Sequence, residues 1–139
     1  DLLAEAKLSP ELRNEALYYR AKAYTKQKAD KKAVDDLREL AKDTRNAYGA
    51  EAKYLVAQSL YDAKEYNAAE KELLNYIEQS TPHAYWLARS FVLLSDVYAA
   101  MGKDLDARQY LLSLQQNYQG NDDIATMIES RLSKLKVKN

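Results

Sequence analysis

Apolar side chains recur along the chain at the three- and four-residue spacing of helices that bury one face. In one stretch the spaced apolar residues are Val34, Leu37, Leu40 and Ala41. Similar stretches follow Ala69 and Ala107, and each comes after a short polar turn. Because a helix packs its apolar stripe against a core, the pattern predicts an all-α protein.

Three alanines mark a repeat in this pattern. Ala33, Ala69 and Ala107 lie 36 and 38 residues apart, and each begins an apolar helical stretch after a polar turn. A unit of roughly 34 to 40 residues, built as helix, turn and helix, cannot bury its apolar face alone and stacks on its neighbours. We therefore expect a stack of about three helical hairpins.

Helix start signals divide the chain into these units. Ser9-Pro10 joins a capping hydroxyl to a proline, which suits the first position of a helix, and Thr81-Pro82 repeats this signal 72 residues later. The middle unit is expected to start within residues 43–46. The predicted first helices span about 10–27, 46–63 and 82–101, and the second helices about 31–43, 66–79 and 104–118.

A final helix is expected to cap the stack. Asn121, Asp122 and Asp123 offer side-chain oxygens that cap its start. Its apolar face carries Ile124, Met127, Ile128, Leu132 and Leu135. The opposite face carries Asp123, Glu129, Arg131 and Lys134, which we expect to meet water.

The chain is thus predicted to form a single domain over residues 1–139. It consists of hairpins at about 10–43, 46–80 and 82–118, followed by a capping helix at about 121–136. Residues 1–8, with Leu2, Leu3 and Leu8, are typical of the end of a preceding helix whose partner is missing. We therefore expect the chain to be an excised piece of a longer protein.

The composition excludes several classes of protein. Three glycines and two prolines are too few for the turns of a β-sandwich or barrel. Twenty-one basic and 21 acidic residues give a formal net charge of zero, which offers no global attraction to nucleic acid. Apolar runs, as at 91–94, are far shorter than the ~20 residues that cross a bilayer, so no membrane insertion is expected.

The sequence offers no set of residues for catalysis. His83 is the one histidine and cysteine is absent, so neither a histidine-based catalytic set nor a zinc site of histidine and cysteine can be assembled. Three isolated glycines do not form a phosphate-binding loop. We expect a non-enzymatic protein that uses no cofactor and no metal.

The repeated positions resemble the tetratricopeptide repeat. In the middle unit the matching residues are Val56, Ala57, Leu60, Tyr66, Ala69 and Leu73. In the third they are Leu94, Ser95, Tyr98, Gly102, Ala107 and Leu111, and in the first Ala21, Tyr24, Ala33 and Leu37. The small residue usual late in the second helix is replaced by Leu40, Tyr76 and Leu114.

This resemblance implies a right-handed α-α superhelix of about three hairpins with a C-terminal capping helix. The long units are similar to those of bacterial cell-envelope members of the family, which favours the periplasm or cell envelope over the cytoplasm. The resemblance also implies that repeats of the same parent chain precede this segment.

The resemblance further implies that the first helices line a concave groove. The groove positions are Glu15, Tyr18, Lys22 and Lys26 in the first unit, Glu51, Tyr54, Gln58 and Tyr61 in the second, and Arg89, Val92 and Asp96 in the third. A tyrosine suits both a recognition surface and half-buried packing, so Tyr54 and Tyr61 are open to either use. Tyr18 and Leu55 occupy two places of the lysine and asparagine clamp found in chaperone-binding members, so that clamp is not supported.

These features predict a protein–protein interaction scaffold that binds a peptide or protein segment on its concave face, with Tyr18, Tyr54 and Tyr61 as contacts. The alternative is an architectural spacer or self-association module of a larger envelope protein, which docks through Leu2, Leu3 and Leu8. An accessory domain that positions an enzyme stays open as a third function. RNA binding is disfavoured, because the chain lacks net positive charge and a repeated base-reading pair.

Overall fold

Seven α-helices and no strand make up the part of the chain that the computed structural model describes, residues 9–79 and 81–135. The all-α class predicted from the apolar spacing is therefore confirmed. The helices are α1 (Pro10–Lys26), α2 (Asp30–Leu40), α3 (Ala47–Asp62), α4 (Tyr66–Glu78), α5 (Ala84–Ala100), α6 (Asp104–Asn117) and α7 (Ile124–Leu135). The expected fragment of a preceding helix at 1–8 lies outside the described residues, as does the last position of the expected capping helix.

Side-chain caps begin three of these helices where the sequence places them. The Ser9 hydroxyl accepts the Leu12 N–H at 3.2 Å at the start of α1. Asn46 Oδ1 accepts two backbone N–H groups, at 2.8 and 3.2 Å, at the start of α3. Asp122 Oδ1 accepts the Ile124 N–H at 3.0 Å at the start of α7. These bonds satisfy donors that the first turn of a helix leaves free. The caps predicted at Ser9 and within residues 121–123 are confirmed, and Asn46 lies within the range predicted for the start of the middle unit.

The predicted cap of the third hairpin is wrong. Helix α5 begins at Ala84 rather than Pro82, and Thr81 is buried. The Thr81 hydroxyl donates to the phenolic oxygen of Tyr76 at 3.2 Å. Because this core contact uses the hydroxyl, Thr81 does not cap the helix. His83 precedes α5, and its Nε2 lies 2.7 Å from the carbonyl oxygen of Arg45, which links the second and third hairpins.

The turn inside each hairpin has one recurring backbone conformation. Lys28, Lys64 and Gly102 follow α1, α3 and α5 with left-handed φ angles of 60°, 64° and 77°. The next residue donates its N–H to the carbonyl five residues earlier: Ala29 to Tyr24, Glu65 to Leu60, and Lys103 to Tyr98. These are the hydrogen bonds of the Schellman motif. The three turns lie 36 and 38 residues apart, which is also the spacing of the alanines.

Ala33, Ala69 and Ala107 occupy equivalent places in the three hairpins. Each lies in the first turn of a second helix and is no more than 3% exposed. Each donates its N–H, at 3.0 Å, to the carbonyl of the residue that precedes the helix. The spacing that the sequence shows is thus a repeat of backbone geometry as well as of residue type.

The helices divide into two layers. In the first layer α3 contacts α1 and α5, and α5 also contacts α7. In the second layer α2 and α4 each pack between their own first helix and the next, and α6 packs against α5 and α7. Within the described residues, no two second helices share a contact of similar extent. Buried apolar clusters lie within each interface, and the one between the first two hairpins consists of Leu17, Ala21, Leu37, Leu40, Ala52 and Val56.

Candidate protein-binding face

The ten residues predicted to bind a partner lie on the first helices, and we call their surface the first-helix face. It consists of Glu15, Tyr18, Lys22, Lys26, Glu51, Tyr54, Gln58, Tyr61, Arg89 and Asp96. Side-chain contacts connect this face across each interface between neighbouring first helices.

Glu51 connects α3 to α1. Its two carboxylate oxygens accept the Tyr18 hydroxyl at 3.1 and 3.2 Å, and one of them accepts Lys22 Nζ at 3.0 Å. The Lys22 ammonium also lies 5.1 Å from the centre of the Tyr18 ring, a cation–π distance. Burial, followed by the negative charge of Glu51, raises the pKa of Tyr18, so the phenol remains a neutral donor. The Lys22 side chain is 46% exposed, whereas that of Glu51 is 16% exposed, so the lysine is the accessible partner.

Arg89 connects α5 to α3. Its guanidinium donates to the phenolic oxygens of Tyr54 at 3.0 Å and Tyr85 at 2.9 Å. Tyr54 in turn donates to Gln58 Oε1 at 3.0 Å, and Tyr85 donates to Asp123 at 3.0 Å. Burial alone would lower the pKa of Arg89, but its hydrogen bonds to the two phenolic oxygens, and the negative charge of these groups once ionised, outweigh burial and raise the pKa. One arginine thus holds side chains from α3, α5 and the start of α7 in a single network.

Tyr54 does not offer its ring to a partner. The residue is 5% exposed, and its ring lies 5.6 Å from Trp86 and beneath the guanidinium of Arg89 at 4.8 Å. Of the two uses that the sequence left open for this tyrosine, the structure favours packing. Trp86 is half-buried and packs against the buried cluster between the second and third hairpins.

Asp96 connects α5 to α7 through Arg131. The guanidinium donates two hydrogen bonds to the carboxylate, at 2.8 and 3.0 Å, in a bidentate pair. Tyr61 and Lys134 line the same cleft, whose volume is about 450 Å³. Burial, followed by the charge of Asp96, raises the pKa of Tyr61. This cleft opens beside a tyrosine that remains half-exposed.

The role of Arg131 corrects an expectation. Arg131 was expected on the water-facing side of the capping helix, yet it is half-buried and pairs with Asp96. Asp123 is exposed as expected, although it also accepts a hydrogen bond from Tyr85. The helical spacing places both residues opposite the apolar stripe, but spacing within one helix does not show what a neighbouring helix presents. The sequence signal that could have predicted this ion pair is Asp96, an acidic residue of α5 with no basic residue three or four positions away on its own helix.

The two remaining residues of the face lie towards its edges. Glu15 is exposed and lies near Tyr48 of α3, whose pKa is raised by burial and by this carboxylate. Lys26 is exposed at the last turn of α1, and its side chain makes no hydrogen bond or ion pair with any residue in the described ranges. The structure therefore brings the interior positions of the face together and leaves Lys26 apart.

Among residues 9–79 and 81–135, no three carboxylate or histidine side chains come together in a group that could hold a metal ion. The helices in those ranges are each too short or too polar to cross a membrane.

No protein-family model matches the chain, and no curated protein has a sequence significantly similar to it.

Proposed function

We propose that the chain is a tetratricopeptide-like array whose first-helix face is concave and binds a peptide or protein segment. Support for the array comes from three Schellman turns and three buried alanines in one register. Support for the curvature comes from the layers, because first helices contact one another while second helices do not do so to a similar extent. A stack whose one side is more closely spaced curves towards that side.

The observation that carries the binding proposal is the row of polar contacts that crosses both interfaces between first helices and the interface between α5 and α7. Lys22 with Glu51, Arg89 with Tyr54, and Asp96 with Arg131 fix the positions of charged and polar groups along the face. Groups that are held in place before binding lose less conformational entropy when a partner arrives. Successive polar groups on a rigid row suit a linear segment, which meets one such group after another along the face.

Selection of linear peptides from a displayed random library tests this proposal. We expect selected peptides to lose about tenfold or more in affinity, or about 1.4 kcal/mol, for the variants Lys22→Glu and Tyr61→Ala. Fluorescence anisotropy of labelled peptides gives the dissociation constants, and far-UV circular dichroism shows that each variant keeps its helices.

The matched control is Lys71→Glu, because Lys71 is exposed on α4 in the other layer. This variant is expected to bind the selected peptides as the wild type does. Peptides that respond to Lys71→Glu and not to the two face variants would place the binding surface elsewhere, and a selection without binders would count against a peptide-binding function.

A second candidate function, a stacking module within a longer assembly, is favoured by an exposed apolar stripe on α1. The stripe consists of Leu12, Ala16, Tyr19 and Ala23, of which Leu12 is 54% and Tyr19 59% exposed. The equivalent residues are Tyr48, Ala52, Leu55 and Ser59 in α3, and Trp86, Ser90, Leu93 and Val97 in α5. Those equivalents are buried or half-buried, and most belong to the apolar clusters shared with the preceding hairpin. The stripe is thus a stacking surface that nothing within the described residues covers.

Sedimentation equilibrium over a wide range of concentrations tests the stacking function. The wild type is expected to self-associate, and Tyr19→Lys is expected to abolish the association by placing a charge in the stripe. Leu105→Lys is the control, because Leu105 is 81% exposed on α6, away from the stripe. A wild type that stays monomeric throughout would count against this function. The docking residues Leu2, Leu3 and Leu8 lie outside the described residues.

A further inference from the structure

A cavity of about 560 Å³ lies between the first and second hairpins, where α1, α2 and α3 meet. Ala21, Ala33, Val34, Leu37 and Leu55 form its apolar walls. Lys22 and Gln58, which also line it, belong to the first-helix face. The cavity is therefore an apolar recess that opens next to the face proposed to bind a partner.

The internal repeat shows what such a recess can hold. Thr25, Asp30 and Ala63 line the cavity, and the repeat spacing places Tyr61, Tyr66 and Met101 at the equivalent positions one interface further along. The rings of Tyr61 and Tyr66 are 5.7 Å apart, and both rings pack with Met101 against the buried cluster between the second and third hairpins. At the second interface, two tyrosines and a methionine thus fill the space that corresponds to the cavity. At the first interface the smaller side chains leave this space open.

The mouth of the cavity is acidic. Three of the residues that line it are charged: Lys22, Asp30 and Asp62. Lys22 is already paired with Glu51, and Asp62 accepts only the neutral amide of Gln58, at 2.9 Å. Asp30 is exposed and makes no ion pair or hydrogen bond with another side chain of the described ranges. Within the described residues, neither of these two carboxylates therefore forms an ion pair.

We propose that this cavity binds an aromatic side chain of the partner segment, with a lysine or arginine next to it that meets Asp30 and Asp62. The site rests on the proposed peptide-binding function and specifies one side chain of the bound segment. A tyrosine fits best, because its ring fills the apolar recess and its hydroxyl reaches a polar edge, as the chain's own tyrosines do at the next interface. Burial of the ring supplies affinity, while the carboxylates select the neighbouring charge.

Capped dipeptides titrated into ¹⁵N-labelled protein test the site without a known partner. N-acetyl-Tyr-Lys-amide is expected to shift, in a saturable way, the backbone amide signals of Thr25, Val34, Ser59 and Ala63, which line the cavity. N-acetyl-Ala-Lys-amide is expected to produce no saturable shift, because it lacks the ring. N-acetyl-Tyr-Glu-amide is expected to bind roughly threefold more weakly, because exposed ion pairs contribute little.

Two variants locate the binding. The double variant Thr25→Tyr with Ala63→Met copies the filled interface, and it is expected to lose the binding of the Tyr-Lys dipeptide while its thermal midpoint stays at or above that of the wild type. Thr25→Ser is the control, because serine can keep the hydrogen bond to the Ala21 carbonyl and leaves the cavity open. The variant Asp30→Asn with Asp62→Asn changes only exposed side chains and is expected to bind the Tyr-Lys and Tyr-Glu dipeptides equally.

Each outcome supports or overturns the site. Equal shifts from the alanine dipeptide, or undiminished binding by the folded, filled variant, would overturn it. Should the filled variant fail to fold, an unchanged preference in the asparagine variant would overturn it as well. A library-selected peptide that loses affinity for Lys22→Glu but binds the filled variant like the wild type would overturn the cavity site while leaving the peptide-binding function in place.

Discussion

At the scale of single residues, equivalent positions of the repeat are packed by side chains of different chemistry. In the second hairpin Lys53 and Glu72 form an ion pair of 2.8 Å, with side chains only 11% and 19% exposed. In the third hairpin the equivalent residues are Phe91 and Tyr110, whose rings make an edge contact at 5.7 Å. Two opposite charges and two aromatic rings thus occupy the same place between a first helix and its second helix.

The double variant Lys53→Phe with Glu72→Tyr is therefore expected to be as stable as the wild type, or more stable. Replacing a largely buried ion pair by apolar side chains is often neutral or favourable, whereas removing one partner leaves an unpaired charge. Glu72→Ala alone is expected to lower the free energy of unfolding by roughly 1–3 kcal/mol. Urea denaturation measures both, and a double variant less stable than Glu72→Ala would contradict the equivalence of the two positions.

A second residue-scale expectation concerns alkaline pH. Tyr98 is 7% exposed and donates its hydroxyl to Glu70 at 2.7 Å. Burial, followed by the hydrogen bond to Glu70, raises the pKa of Tyr98 well above its usual value near 10. The unfolded chain ionises this tyrosine from about pH 10 upward while the folded chain does not, so the stabilisation is complete below pH 10 and is lost as the pH rises.

The variant Tyr98→Phe is expected to remove this dependence. Between pH 10 and 11.5 its free energy of unfolding is expected to fall less steeply than that of the wild type, by up to about 1.4 kcal/mol per pH unit. Urea denaturation at several pH values measures the difference. Parallel curves for the two proteins would show that Tyr98 has the same pKa in both states.

At the scale of elements, the three hairpin turns share a left-handed residue but not a residue type. Gly102 adopts this conformation without strain, whereas Lys28 and Lys64 hold a Cβ in a region that disfavours it. The sequence predicts the stop at Gly102 because glycine is the usual residue there. The sequence does not predict the left-handed conformation of the two lysines, because a lysine gives no local signal for a positive φ.

The variant Lys64→Gly is accordingly expected to stabilise the chain by about 0.5–1 kcal/mol, and Gly102→Lys to destabilise it by about 1 kcal/mol. Lys71→Gly is the matched control inside α4, where glycine is expected to cost about 1 kcal/mol. Thermal unfolding followed by circular dichroism gives all three changes. Lys64→Gly with a lower midpoint than the wild type would contradict the left-handed turn.

Helix positions are the part of the fold that the sequence predicts well, because apolar spacing and caps are local. Ser9 and Asn46 begin their helices as expected, since each side chain only has to reach the next turn. Thr81 fails for a non-local reason, because its hydroxyl bonds to Tyr76 in the core. Local sequence signals cannot show when a side chain that could cap a helix forms a tertiary hydrogen bond instead.

At the scale of the whole molecule, the repeat predicts which helices share a face but not which side chains there are free. Lys22, Glu51 and Asp96 all lie on the first-helix face, but each forms an ion pair with a residue of a neighbouring helix. Tyr54 is on the predicted face with its ring buried. The open cavity near Thr25 was also missed, because an empty space depends on side chains from three helices at once.

The proposed curvature requires one geometric relation: equivalent hairpins must stack so that their first helices are closer together than their second helices. Because the sequence has no cysteine, pairs of introduced cysteines can be spin-labelled selectively. Lys26, Asp62 and Ala100 are equivalent exposed residues of the first helices, and Asp35, Lys71 and Gln109 are their counterparts on the second helices. Pairs within each set report the spacing of one layer.

Double electron–electron resonance between successive labels within each set measures the two spacings directly. The distances from Asp35 to Lys71 and from Lys71 to Gln109 are expected to exceed those from Lys26 to Asp62 and from Asp62 to Ala100. Equal distances in the two layers, or longer ones between first helices, would contradict the curved stack and with it the concave binding face.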